Sequence, residues 1–334
     1  MANRCVIGVD LGGTNVRAAA VADDGSFVGP RISNSSEAEK GAEATFEAIA
    51  RTVREAAEGA RMAPEAVGIA IPGWVDEPSG MVRWSPNFGT WVNGVFHYWV
   101  DVPYREPLQR LLNLPICAGN DANLAALGEY SFGTGQGSAR CLVMLTLGTG
   151  VGGGVVLSSS SVGGHASGPL LLLGGNKGGA ELGHTIVQHG GLDCTSGEYG
   201  SIEAYCQRDA IVRRATLRLV RGRPSLLREM CGGDYSQVSP KMLADAADRG
   251  DELAIEVWHE VGTYLGVGIG SLINTFAPDV FAIGGQIAKA GPWILEPAVR
   301  TARNVAIPQL FDDARIVLAQ QVEDAGLLGA ARRS

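Results

Sequence analysis

The chain has 334 residues, 46% of them hydrophobic and 19% charged, and 47 are glycine. One hydrophobic core stops growing near ~250–300 residues, so two domains are expected, and the composition is that of a globular chain rather than a disordered or fibrous one. Twenty-seven basic residues against 35 acidic ones leave a net charge of −8, which argues against a nucleic-acid or anionic-membrane partner.

Met1, Ala2, Asn3 and Arg4 precede five mostly apolar residues and then Asp10. An apolar run this short reads as a buried strand, not as a signal peptide. Residues 5–10 form that strand, Leu11-Gly12-Gly13-Thr14-Asn15 a tight turn, residues 16–22 a second strand, and Asp23-Asp24-Gly25 a further turn. Within residues 37–59, Phe46, Ile49, Ala50, Val53 and Ala57 recur at helical spacing. Short buried strands are expected at 67–72 and 114–118, the latter followed by Gly119-Asn120-Asp121 and a helical pattern over 123–130. The opening layout then recurs: a strand at Cys141–Leu147, the turn Gly148-Thr149-Gly150, and a strand at Val151–Leu157. Two such units point to a duplicated architecture with one unit in each domain. Residues 158–179, rich in Ser and Gly, read as a mobile surface loop. Beyond Ile202 the pattern is mainly helical. It is broken by a strand at 280–283 with Gly284-Gly285 after it, and by a last strand at 316–319 before a terminal helix. The uncharged stretch 261–278 carries Gly262, Gly266, Gly268, Gly270 and Asn274, so it reads as a buried helix and not as a membrane span. Six cysteines are scattered without a CxxC pair, which suits reduced thiols in a cytoplasmic protein.

Three glycine-rich sites compete for a phosphate. Gly148, Gly150 and Gly153 satisfy GxGxxG formally, but Val155, Val156 and Leu157 after them continue as strand. A dinucleotide site needs a helix amino terminus there. No GxxxxGK[ST] exists, since Lys177 has no Ser or Thr after it. What remains is a hairpin clamp, in which glycines let consecutive backbone N–H groups converge on an anion and a Thr hydroxyl adds a donor. Asp10, just before the first turn, is placed to hold the waters of a phosphate-bound Mg²⁺.

Asp10 through Asn15 resembles the first phosphate motif of the actin–hexokinase–chaperone ATPases. Leu147 through Gly154 resembles the second, and Ile283-Gly284-Gly285 the adenosine motif. Trp84-Ser85-Pro86-Asn87, Gly119 through Asn123 and Gly179 through His184 narrow the resemblance to the ROK family of sugar kinases and repressors, the glucokinase branch above all. The resemblance spans roughly residues 5–330. It implies an α/β, two-domain actin-like ATPase (ribonuclease H-like) fold with an active-site cleft between the domains. The smaller domain is expected over 1–118, with a carboxyl-terminal segment of about 318–334 packing back onto it, and the larger over 119–317. Repressors of the family carry an additional winged-helix segment ahead of the first phosphate motif. With Asp10 at the tenth position no such segment is expected, which favours a kinase.

The implied reaction is transfer of phosphate from ATP, with Mg²⁺, to glucose. The alternatives are another sugar (mannose, fructose, N-acetylmannosamine or N-acetylglucosamine), polyphosphate as donor, and a catalytically silent sugar-binding regulator. A homodimer is implied by the same resemblance. Asp121 follows a buried strand and opens a helix whose dipole favours an ionised carboxylate. The motif makes it the general base, and the plainer reading is a helix N-cap. A hexose presents a ring of hydroxyls that asks for carboxylates and amides in fixed pairs. By resemblance Asn87, Asn120, Asp121, Glu181, His184 and Glu203 bind the sugar. Pro86 stiffens the loop presenting Asn87, and Glu181, between Ala180 and Leu182, is expected to be buried. Asp10, Gly12, Gly13, Thr14, Asn15, Thr149, Gly150, Gly284 and Gly285 bind the nucleotide.

The family's motif continues as Cys-x-Cys-Gly-x-x-Gly-Cys, whose thiolates with the motif histidine bind structural zinc. Here the run is Cys194, Thr195, Ser196, Gly197, Glu198, Tyr199, Gly200, Ser201, Ile202, Glu203. Ser196 and Ser201 stand at two of the three thiolate positions, and a serine hydroxyl is a poor zinc ligand at neutral pH. Zinc is therefore not expected, although His189 or Asp193 offer substitute donors. Hydrogen bonds of Ser196, Ser201 and the backbone are expected to shape the loop instead.

Overall fold

The computed structural model describes residues 4–163, 168–175, 178–194 and 196–334. In chain order its elements begin with β1 (Cys5–Leu11), β2 (Asn15–Ala22), β3 (Ile32–Ser35), α1 (Ala42–Glu58), β4 (Ala66–Ile71), β5 (Trp74–Asp76), β6 (Met81–Val92) and β7 (Val95–Pro103). There follow α2 (Arg105–Leu112), β8 (Ile116–Asn120), α3 (Asp121–Phe132), β9 (Cys141–Leu147), β10 (Val151–Leu157), β11 (Leu170–Leu171) and α4 (Ile202–Cys206). The remainder is α5 (Arg208–Val220), α6 (Leu227–Met230), α7 (Pro240–Asp248), α8 (Glu252–Phe276), β12 (Val280–Gly284), α9 (Pro292–Val305), α10 (Pro308–Asp313), β13 (Arg315–Leu318) and α11 (Ala325–Arg333).

Two five-stranded sheets share one layout, β3-β2-β1-β4-β8 and β11-β10-β9-β12-β13. In each, a hairpin opens the sheet and a parallel strand follows beside its first member. A third sheet, β5-β6-β7, is antiparallel. The chain divides into two compact units, one of residues 1–139, 154–180 and 323–334 and the other of 140–153 and 181–322. The expected boundary at 118/119 thus differs from the observed one at 139/140. The physical reason is α3, which packs against the terminal helix α11, while α11 in turn lies on β1 and β4.

In the first unit the period of two along β1 decides which helix each residue meets. Cys5, Ile7, Val9 and Leu11 join Phe46, Ile49 and Val53 of α1 in one core. Val6 turns to the other face, with Leu328 and Ala331 of α11. On that face Gly8 and Gly68 have no side chain, and the helix backbone fills the space. A Cβ at Gly8 would stand 2.1 Å from the Leu327 carbonyl oxygen, and one at Gly68 1.9 Å from that of Ala330. Neither contact is possible without moving α11. Gly68→Ala is expected to destabilise the chain by about 1–3 kcal/mol, the usual range for overpacking. Gly163→Ala, where an added Cβ meets nothing within 4 Å, is the control. Equal denaturation midpoints for the two variants would refute the steric account.

The second unit is mainly helical around β9, β12 and β13. Its longest helix, α8, has 25 residues and packs along α9 and α4. Among the described residues no helix is long and apolar enough to cross a membrane. The segment expected to be a mobile loop carries a 3-10 turn at Ser159–Ser161 and strand β11. Residues 164–167 and 176–177, Lys177 included, lie outside the described residues.

Candidate functional site

In the first unit the candidate residues gather where parallel strands end. Asp10 of β1 is in register with Ala70 of β4, and Ala70 with Gly119 of β8. The carboxyl ends of parallel strands are where open α/β sheets bind ligands. The turn after β1 closes with Gly12 N–H donating to the Asn15 carbonyl at 2.8 Å. Buried Ser36 braces it, donating its hydroxyl to the Gly13 carbonyl and its N–H to the Thr14 carbonyl, each at 3.0 Å. Gly13, Thr14 and Asn15 stay exposed. Asp10 pairs with Arg17 directly across the hairpin, and Arg17 also reaches the Glu323 carbonyl at 2.8 Å.

Asn87 is not on a loop. It lies within β6 at a bulge, where pairing with β7 jumps from Ser85–Trp99 to Gly89–Tyr98. Pro86 has no N–H to give to a ladder, so the strand bulges there and sets Asn87 outward. Its Cβ lies 3.7 Å from where a Cβ on Gly13 would sit, so the sugar candidate and the candidate phosphate turn after β1 are neighbours. Of the aromatic residues around it, Trp99 is buried against Phe46 and Phe88, at ring distances of 5.6 and 4.9 Å. Trp84, Trp91 and Tyr98 are exposed because they alternate onto the other face of the ribbon, where Trp91 and Tyr98 flank Phe96 at ring distances of 5.2 and 5.0 Å.

Asn120 is the N-cap of α3: its side-chain oxygen accepts from the Asn123 N–H at 3.0 Å, and its amide donates to the Gly73 carbonyl at 3.0 Å. Gly73 has φ of 108°, a conformation open to glycine but strained for other residues. Capping is therefore done by Asn120 and not by Asp121. Asp121 stands in the first helical turn, with Oδ1 accepting from the Ala122 N–H at 2.9 Å.

In the second unit the turn after β9 closes through Gly148 N–H to the Gly150 carbonyl at 2.9 Å and runs into strand β10. No helix amino terminus follows it, which is the geometry of a hairpin clamp and not of a dinucleotide fingerprint. Gly284 of β12 is in register with Thr146 of β9, so Gly284 and Gly285 end the neighbouring parallel strand. Gly285 has φ of 84°, and a Cβ there would stand 2.3 Å from the Leu147 carbonyl oxygen. A cavity of about 550 Å³ opens beside these turns, lined by Gly148, Thr149, Arg208, Lys241, Gln286 and Lys289 among others. Its size is that of small-molecule pockets. Arg208, Lys241 and Lys289 carry no motif, and only the packing of α5, α7 and the turn after β12 reveals them.

The remaining three candidates also meet in this unit. Glu181 is exposed, its side chain 62% accessible, rather than buried as its apolar neighbours suggested; the 3-10 turn Leu182–His184 turns Leu182 inward in its place. His184 Nε2 lies 4.0 Å from Glu181 Oε2. Glu203, in α4, is buried. One of its oxygens accepts from the Val151 N–H at 2.8 Å, next to the Gly148–Gly150 turn, and the other from the Cys194 thiol at 3.3 Å. Glu198, which the sequence reading passed over, places a carboxylate oxygen 2.5 Å from His184 Nδ1. Burial alone raises the pKa of Glu198, but hydrogen bonds from Ser196, His184, its own backbone N–H and Cys194 outweigh this and hold it at about 2. Its sole signal in sequence was its place inside the glycine-framed loop.

His184, Cys194 and Glu203 bring ligand atoms within 4.8 Å of one another, the one such group among the described residues. The donor set does not suit structural zinc. Glu198 occupies the imidazole nitrogen that faces the group, and burial pushes the Cys194 thiol up, away from the thiolate a metal requires. Ser196 bonds to His184 Nδ1 and Cys194 Sγ, each at 3.2 Å, and Ser201 caps α4 by accepting from the Ala204 N–H at 3.3 Å. His189 and Asp193 stand outside the group.

Two α/β units with like-ordered sheets, each with a glycine turn in its opening hairpin, define the actin-like ATPase class. The chain matches the ROK family over residues 6–332, and it belongs to that family. It is similar to the glucokinase of Thermotoga maritima, 35% identical over 326 residues that cover 98% of this chain and 96% of that one. Among solved structures it is similar to a ROK family glucokinase from Streptomyces griseus in complex with glucose and AMPPNP, with 32% identity, 98% of each chain covered and a TM-score of 0.80. The ROK hexokinase from Thermus thermophilus is similar at 29% identity, with 99% of this chain and 97% of that one covered and a TM-score of 0.76.

Proposed function

We propose that the chain is an ATP-dependent glucokinase that forms glucose 6-phosphate and ADP. The observation that carries this reading is Asp121, a carboxylate in the first turn of α3 at the end of a parallel strand, in a chain similar to glucokinases over nearly its whole length. Asp121 takes the proton of the C6 hydroxyl as that oxygen attacks the γ-phosphorus in line. The bond from the γ-phosphorus to its bridging oxygen breaks, and ADP leaves. Asn87, Asn120, Glu181, His184 and Glu203 hold the sugar hydroxyls. Gly12 to Asn15 and Thr149 and Gly150 offer backbone N–H groups and hydroxyls to the phosphates, and the cavity beside Gly284 and Gly285 receives the base and ribose.

A phosphate-bound Mg²⁺ neutralises charge on the transferring group. Asp10 fits it through water: a single carboxylate beside an exposed turn suits an ion that keeps most of its waters. Arg17, bonded to Asp10, fixes the carboxylate's direction. A coupled ADP-release assay across glucose, mannose, fructose, N-acetylmannosamine and N-acetylglucosamine tests the reading. Glucose is expected to give the highest kcat/KM, and absence of ADP with every sugar would refute a kinase.

The enzyme is expected to work without zinc. Elemental analysis of protein purified without chelator should find well under one zinc per chain, and EDTA treatment followed by Mg²⁺ should restore full activity. Stoichiometric zinc that survives dialysis would overturn this and assign it to His184, Cys194 and Glu203.

A further inference from the structure

The loop around Glu198 is a closed hairpin. Gly197 and Gly200 take φ of 98° and 80°. Cys194 N–H donates to the Glu198 carbonyl at 2.9 Å, and Gly200 N–H to that of Leu192 at 2.8 Å. This backbone turns the Glu198 side chain inward onto His184 Nδ1 at 2.5 Å. An ionised carboxylate only accepts, so the shared proton belongs to Nδ1. A neutral imidazole protonated on Nδ1 has a bare Nε2, an acceptor. Nε2 faces Glu181 at 4.0 Å, beyond hydrogen-bond reach. Two acceptors side by side and not bonded to one another form a receiver for O–H groups donated by neighbouring hydroxyls.

We propose that Glu198 is a positioning residue that locks the His184 ring in the Nδ1–H tautomer and so aims Nε2, as an acceptor, at a sugar hydroxyl. The proposal rests on the reading of His184 as a sugar ligand. It explains why a loop residue with no substrate contact of its own is held so firmly: the orientation of a histidine is set by the bond its other nitrogen makes.

The test is a long-range proton–nitrogen spectrum of protein with isotope-labelled histidine, of which the chain has five. It is recorded near pH ~8, above the ordinary imidazole pKa of about 6.5. The His184 signals are identified by their loss in His184→Gln. In the unaltered protein His184 is expected to carry its proton on Nδ1, and in Glu198→Ala to shift toward the Nε2–H form. The KM for glucose should then rise up to roughly tenfold, the upper worth of one hydrogen bond between neutral groups, with the KM for ATP unchanged. A proton on Nε2, or a metal on Nδ1, in the unaltered protein overturns the proposal whether or not the variant folds. So does a tautomer that is the same in Glu198→Ala. A tautomer that shifts with no change in glucose KM upholds the positioning role and instead refutes His184 as a sugar ligand.

Discussion

Asp121→Asn is expected to keep the fold, to bind glucose within a few-fold of the parent chain, and to lose ~10²–10⁴-fold in kcat, the usual contribution of a general base. The substitution is nearly isosteric, and an Asn oxygen can still accept from the Ala122 N–H as Asp121 Oδ1 does. The helix keeps its cap, because Asn120 supplies it. What disappears is the basic lone pair in the first turn of α3, where the helix dipole favours the ionised carboxylate. Steady-state kinetics with calorimetric glucose binding separates the two effects. Turnover within about threefold of the parent chain, far short of a base's usual share, would remove Asp121 from this role. Loss of glucose binding in step with kcat would make it a sugar ligand alone.

Glu203→Ala is expected to lower kcat/KM for glucose by about two decades, near 3 kcal/mol, and to raise the KM for ATP as well. Three bonds depend on this buried side chain. It accepts from the Val151 N–H beside the Gly148–Gly150 turn and from the Cys194 thiol, and in the proposed reaction it also meets a sugar hydroxyl. Removing it orphans a buried N–H at the turn, a loss of ~1–3 kcal/mol in its own right. The turn has little slack around it, since a Cβ on Gly150 would stand 2.6 Å from Glu203 Oε2. A defect confined to glucose, with ATP kinetics intact, would leave Glu203 as a sugar ligand and deny it the support of the turn.

Much of this site was legible in the chain because its parts are local. Gly148, Thr149 and Gly150 lie between two runs of alternating or continuous apolar residues, and a turn there is dictated by backbone sterics within a few positions. The strands Cys141–Leu147 and Val151–Leu157 match the observed bounds for the same reason, and the stretch 261–278 read as a buried helix falls largely within α8. The ribbon of β6 and β7 was not legible. Its residues mix exposed aromatics with polar groups, and the bulge at Pro86 breaks the alternation that marks a strand. The expected burial of Glu181 failed because neighbours in sequence do not decide which way a 3-10 turn faces.

By itself, the sequence determined the two glycine-turn hairpins, the buried strands beside them, and the place of the Asp121 carboxylate after a buried strand, since each depends on period, turn chemistry and spacing along one stretch of chain. Only the tertiary structure decided that α3 belongs with the terminal helix α11, that Asn120 rather than Asp121 caps α3, and that Glu198 meets His184. It also decided that Glu203 braces the turn at Val151. Three of these are contacts between groups distant in sequence or folded back by a closed loop, and the Asn120 cap, itself local, is fixed by the Asn120 amide's bond to the distant Gly73 carbonyl. Their geometry follows from how helices and turns pack in three dimensions, which no local pattern of residues encodes.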